Sequence, residues 1–139
     1  MTDTPGRYRQ LPGKSLEIGC DDMSYIMVDI ESDGPIPGDY SMICFGAVIV
    51  NTDLSKTFYG KLKPISDKYI NDALKVSGFS REQTLNFDDP KEVLLKFENW
   101  IKENCTDKPI FISDNNGFDW MFICWYFHHF LERNPFGYS

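Results

Sequence analysis

The sequence predicts one α/β domain built on a mixed sheet, an antiparallel three-strand meander plus one parallel strand, with helices on both faces. Three apolar runs in the first half are separated only by short turn-rich segments, the pattern of a meander. The second half alternates helical periodicity with one further apolar run, as a crossover to a parallel strand requires. The chain is also large and apolar enough to bury a core: 139 residues, 42% hydrophobic and 15% aromatic, argue against a disordered chain.

Residues 1–22 show neither period and contain Pro5, Gly6, Pro12, Gly13 and Gly19, so they read as an irregular arm. Met23 stands directly before the first strand and is a candidate native start, which would make that arm an added or upstream segment and 23–139 the domain. Arg7, Arg9 and Lys14 within it are candidates for phosphate contact, against the simpler reading of a solvated tail. Tyr25-Ile26-Met27-Val28-Asp29-Ile30 is a continuous apolar run that meets acids at its end, as expected of a buried central strand. A turn rich in Asp33, Gly34, Pro35, Pro37 and Gly38 follows. Strands over 42–50 and 57–62 flank the turn Asn51-Thr52-Asp53. A short helix is expected over 67–76. The next begins at Asp89-Pro90-Lys91-Glu92, where Asp89 caps, Pro90 suits the first helical position and Glu92 completes a capping box. Val93, Leu94, Phe97, Trp100 and Ile101 share one face of that helix. Residues 109–113 form a short strand, and 117–133 a helix opened by the turn Asp114-Asn115-Asn116.

The net charge of −7 opposes binding to nucleic acid through bulk electrostatics, but it permits an enzyme that reaches a phosphodiester through metal ions. Cys20, Cys44, Cys105 and Cys124 form no CxxC pair and have no histidine at zinc-ligand spacing, so they read as free thiols of a reducing compartment. The most apolar run, 120–127, is far short of the roughly 20 residues of a membrane span. A soluble, cytoplasmic protein is expected.

Asp29 and Glu31 stand two apart on the first strand, so both point to one face. Paired carboxylates on a mostly buried strand are costly unless neutralised, and a hard divalent cation does this well. Alternatively, both lie beyond the strand end and are solvated. Asp119 opens an apolar helix and is the sole acid between Asp114 and Glu132; it either joins that pair or simply favours the helix dipole.

Together these residues resemble the DEDD superfamily of 3′-5′ exonucleases, whose fold is ribonuclease H-like. Val28-Asp29-Ile30-Glu31-Ser32 is similar to its first motif, Asp-x-Glu at the end of strand one. Asn115-Asn116-Gly117-Phe118-Asp119 resembles the second, and Ser77-Gly78-Phe79-Ser80 resembles the loop after the first helix. Arg133-Asn134-Pro135-Phe136 is similar to a segment of ribonuclease T, and the resemblance spans residues 25–136. It implies hydrolysis of phosphodiesters from a 3′ end by two Mg²⁺ or Mn²⁺ ions about 3.5–4 Å apart. Asp29, Glu31 and Asp119 would be the catalytic metal ligands, and Ser32, Gly78, Phe79 and Asn115 would contact the substrate. Phe79 could stack on a base, or be core. The resemblance to ribonuclease T also implies single-stranded RNA as substrate and a homodimer.

One departure is specific. The superfamily's third motif supplies a fourth aspartate and a general base, and neither follows Arg133 here. His128 and His129 lie nine and ten residues past Asp119 on the same helix, roughly 14 Å along its axis, whereas a base must come within about 3 Å of its water. The chain therefore reads as a fragment of a longer enzyme or, alternatively, as an inactive relative acting as a binding module. The last helix agrees with the first: Trp120, Ile123, Cys124, Phe127 and Leu131 form one apolar face, and Met121, Phe122, Trp125 and Phe130 extend it nearly all round, so something must cover it.

Overall fold

A computed structural model describes residues 24–137. The expected arm, with Arg7, Arg9, Lys14, Cys20 and the candidate start Met23, lies outside the described residues. Strands β1 (Ser24–Ser32), β2 (Met42–Ile49) and β3 (Thr57–Lys61) are followed by helices α1 (Asn71–Ser77), α2 (Arg81–Thr84) and α3 (Pro90–Asn104), then β4 (Pro109–Ile112) and α4 (Asn116–Leu131). The sheet order is β3-β2-β1-β4, with β1 antiparallel to β2, β2 antiparallel to β3, and β4 parallel to β1. The meander and the parallel strand are therefore as expected.

Strand β1 alternates cleanly. Ile26, Val28 and Ile30 enter the core, while Tyr25, Met27, Asp29 and Glu31 face the other way. Helices α3 and α4 cover the core face. Phe97 of α3 is its centre, ringed by Phe45, Phe58, Trp100, Phe127 and Phe136 at centroid distances of 4.9–6.3 Å. Phe136, just past α4, is fully buried against Phe97, Phe111 and Trp120, so the Arg133–Phe136 run folds back into this core.

Several boundaries moved. The expected helix over 67–76 begins only at Asn71, because Ile70 is still extended. Helix α2 was not anticipated; a complete capping box, Ser80 with Gln83, makes four residues hold a turn. At α3, Asp89 accepts from the Glu92 N–H as expected, but the reciprocal bond of a full box does not form. Helix α4 ends at Leu131, with Glu132 in the left-handed conformation.

The turn after β1 depends on Gly34. A Cβ there would sit 2.0 Å from Tyr40 Cγ, far inside contact distance. Gly34→Ala is expected to destabilise the chain by about 1–3 kcal/mol through overpacking, read as a lower midpoint in urea with unchanged slope.

Candidate active site

Asp29 and Glu31 project from the uncovered face of β1, opposite Gly46 and Cys44 of β2. Between Glu31 and Ser32 the register shifts by a bulge, after which the chain turns inward. Asp119 approaches from the first turn of α4 and is 3% exposed. The Ile30 N–H faces its carboxylate and favours the charged form, beside the strand bearing the other two acids. Ser113 faces the same carboxylate, yet its hydroxyl is buried without reaching good hydrogen-bond geometry.

The three carboxylates feel one another. Burial pushes the Glu31 carboxyl above its ordinary range, and the charges of Asp29 and Asp119 push it further. Burial likewise raises Asp119; Ser113 and the Ile30 N–H draw it back, and Asp29 opposes them. Folded protein thus holds protons on these groups at a pH where the unfolded chain has released them. Stability conferred there falls as pH rises from the ordinary values of 3.8 and 4.5 through the raised ones, and stays lost at neutrality. A cation would offset that loss, and the donor set, carboxylate oxygens alone, suits a hard divalent ion. The acids converge rather than enclose: among the described residues no group of three or more His, Cys, Asp or Glu side chains is arranged to hold an ion as it stands.

Beside Glu31 opens an apolar cleft of about 400 Å³ lined by Ser32, Gly34, Ile70, Ala73, Val76 and Phe118. Of the expected substrate contacts, only Ser32 lies here, and its hydroxyl donates to the Gly34 carbonyl at 2.7 Å. Gly78 caps α1 in the left-handed conformation at φ 84°, which explains the glycine. The Phe79 ring packs edge-on against Phe87 at 4.9 Å with Lys61 5.9 Å from its centre, and it lines a separate hollow with Tyr69 and Arg81. Asn115 is exposed at the start of α4 and makes no side-chain cap bond. His128 and His129 are exposed in the last turn of α4, at the far end of that helix from Asp119.

Sequence reasoning missed two neighbours. Cys44 is buried beside Glu31, and Tyr59 lies across the sheet from it. Desolvation, a hydrogen bond with Cys44 and the nearby Glu31 push the Tyr59 hydroxyl up to about 12, so it stays a proton donor. The pair becomes visible only once cross-strand register is known.

The fold agrees with that of solved enzymes. Escherichia coli exonuclease I complexed with single-stranded DNA superimposes in its metal-free form with a TM-score of 0.68 at 15% identity, covering 83% of this chain and 25% of that one. Its zinc-bound form gives 0.69 at 15%, covering 85% and 26%. The 3′-5′ DNA exonuclease Cap18 of E. coli is 42% identical over 117 residues, 81% of this chain and 62% of that protein. The chain thus shares the fold of exonuclease I and is similar in sequence to a 3′-5′ DNA exonuclease. It spans about three fifths of the length of its Cap18 relative. No protein-family model matches the chain. Among the described residues, no helix is long and apolar enough to cross a membrane.

Proposed function

We propose that the protein is a divalent-metal-dependent 3′-5′ exonuclease acting on single-stranded DNA. The observation that carries this is the convergence of Asp29, Glu31 and Asp119 beside an apolar cleft of about 400 Å³. The resemblance to ribonuclease T favours RNA. The 42% identity to a DNA exonuclease, and a fold shared with an enzyme solved on single-stranded DNA, favour DNA instead.

Asp29, Glu31 and Asp119 would hold Mg²⁺ or Mn²⁺, which lowers the pKa of an attacking water and neutralises the leaving oxygen. The chain's own contributions are binding and orientation. Ile70, Ala73, Val76 and Phe118 give an apolar wall for a base, and the Phe118 ring, packed at 5.1 Å on Phe122, is held in place for contact with it. Ser32 and Gly34 keep the turn after Glu31 closed, so that the carboxylate faces the cleft mouth.

A second reading, a binding module that does not hydrolyse, draws on the exposed position of both histidines and on carboxylates that do not yet enclose an ion. One experiment separates the two. Single-stranded DNA and RNA labelled at the 5′ end are incubated with the full protein and Mn²⁺. Stepwise shortening from the 3′ end, faster on DNA and abolished by EDTA, is expected. Retained binding without shortening would favour the module.

A further inference from the structure

We infer that Arg81 is a positioning residue that ties the wall of the substrate cleft to the strand carrying the metal-site carboxylates; the inference rests on the exonuclease reading of that cleft. The anchor is Asp33, two residues past Glu31 and fully buried. Its N–H donates to the Ser41 carbonyl at 2.9 Å, and its own carbonyl accepts from the Ile70 N–H at 2.9 Å. One carboxylate oxygen, Oδ1, accepts from the Ser41 N–H at 2.6 Å. The other, Oδ2, faces Arg81 Nη1 at 3.5 Å. A buried carboxylate without a counter-charge is strongly disfavoured, and Arg81, with its side chain 15% exposed, supplies the charge.

The same guanidinium does more than neutralise. Its Nη2 donates to the Ser66 carbonyl at 2.8 Å, and its Cζ lies 4.6 Å from the centre of the Tyr69 ring. One side chain therefore joins the end of β1, the segment 66–70 and the first residue of α2. Segment 66–70 leads directly into α1, whose Ala73 and Val76, with Ile70 before it, form one wall of the cleft. Helix α1 has seven residues and no side-chain N-cap, too short to hold its own position. Its distance from Glu31 is set from outside, by the Asp33–Ile70 bond and by the Arg81 fork. A lysine could match the charge but not reach both acceptors at once.

The test compares the parent with Arg81→Met, Arg81→Lys and the double variant Asp33→Asn/Arg81→Met. The double variant removes the buried charge along with its partner, so it folds even where Arg81→Met is unstable. Three readouts are taken: amide exchange across 70–77, Mn²⁺ affinity by calorimetry, and affinity for a 5′-labelled oligo-dT by fluorescence anisotropy without divalent ions. Both methionine variants should exchange faster across 70–77 and bind the oligonucleotide more weakly, each by about tenfold, as for one lost charge-assisted hydrogen bond. Mn²⁺ affinity should stay within about twofold of the parent, far below that tenfold step of one lost interaction. Arg81→Lys should recover part of the oligonucleotide affinity. Unchanged exchange across 70–77 in both methionine variants overturns the proposal, as does faster exchange with unchanged oligonucleotide affinity, which would make Arg81 merely structural. A parent that binds neither Mn²⁺ nor the oligonucleotide sinks the exonuclease reading itself, and that failure is read on the parent alone.

Discussion

Asp119→Asn is expected to abolish divalent-ion binding and hydrolysis while making the ion-free chain more stable at neutral pH. The loss of function follows from removing one of three oxygen donors at a site whose chemistry depends on the ion; a fall in hydrolysis of about a hundred- to a thousandfold is the scale of losing a group that stabilises transition-state charge. The gain in stability follows from the raised carboxyls. Asp119 is buried and faces Asp29, and it raises Glu31 in turn, so its charge costs the folded state free energy above the ordinary carboxylate range. An amide keeps the shape and the contact with the Ile30 N–H without the charge. Melting temperatures in EDTA should therefore differ most between parent and variant at neutral pH and converge as pH falls through the raised values. Saturating Mn²⁺ should stabilise the parent and leave the variant unmoved. A variant less stable than the parent at neutral pH in EDTA would mean that Asp119 is a structural cap.

Phe97→Ala should produce the largest loss of stability of any single truncation in the core. Phe97 is fully buried and is the ring on which β2, β3, α3, α4 and the Phe136 turn all meet. Removing a buried phenylalanine costs about 3–5 kcal/mol, because its neighbours relax only partly into the space. Domains of this size hold about 5–15 kcal/mol in total, so a large part of the margin goes. Urea denaturation followed by tryptophan fluorescence measures it directly, since Trp100 lies 5.8 Å from Phe97. A loss below about 1 kcal/mol would mean that the aromatic cluster repacks around the gap.

The sheet was legible because its signals are local. Alternation on β1 put Asp29 and Glu31 on one face, and the uncovered face carries both. The same alternation, carried on, would have added Asp33 to the site. The bulge after Glu31 breaks the period and buries Asp33, and no pattern in the sequence marks that bulge. Helix α4 failed for a related reason. The expected face ran through Trp120, Ile123, Cys124, Phe127 and Leu131, whereas Phe122, Ile123, Tyr126 and Phe127 are the fully buried set and Trp120 and Cys124 only half-buried. A helix apolar nearly all round has no polar side to fix its rotation. What fixes it is the Tyr126 hydroxyl, which accepts from the Met42 N–H at 2.7 Å, an interaction spanning 84 residues. Likewise Glu98 of α3 is buried and accepts from Nε and Nη2 of Arg133, each at 2.8 Å; that pairing holds its carboxyl below the usual range. Pairings across such separations depend on register and crossing angle, which spacing alone does not encode. The substrate contacts expected at Gly78, Phe79 and Asn115 came from motif position; in the structure Gly78 caps α1 and Phe79 packs on Phe87.

The most direct test of the metal site is anomalous diffraction from crystals of the protein soaked in Mn²⁺. The account predicts a peak about 2.0–2.2 Å from carboxylate oxygens of Asp29, Glu31 and Asp119, the distance of a small hard divalent ion to its ligands, and its disappearance in Asp29→Ala. Crystals that take up Mn²⁺ elsewhere, with those three carboxylates still apart and bare, would contradict it.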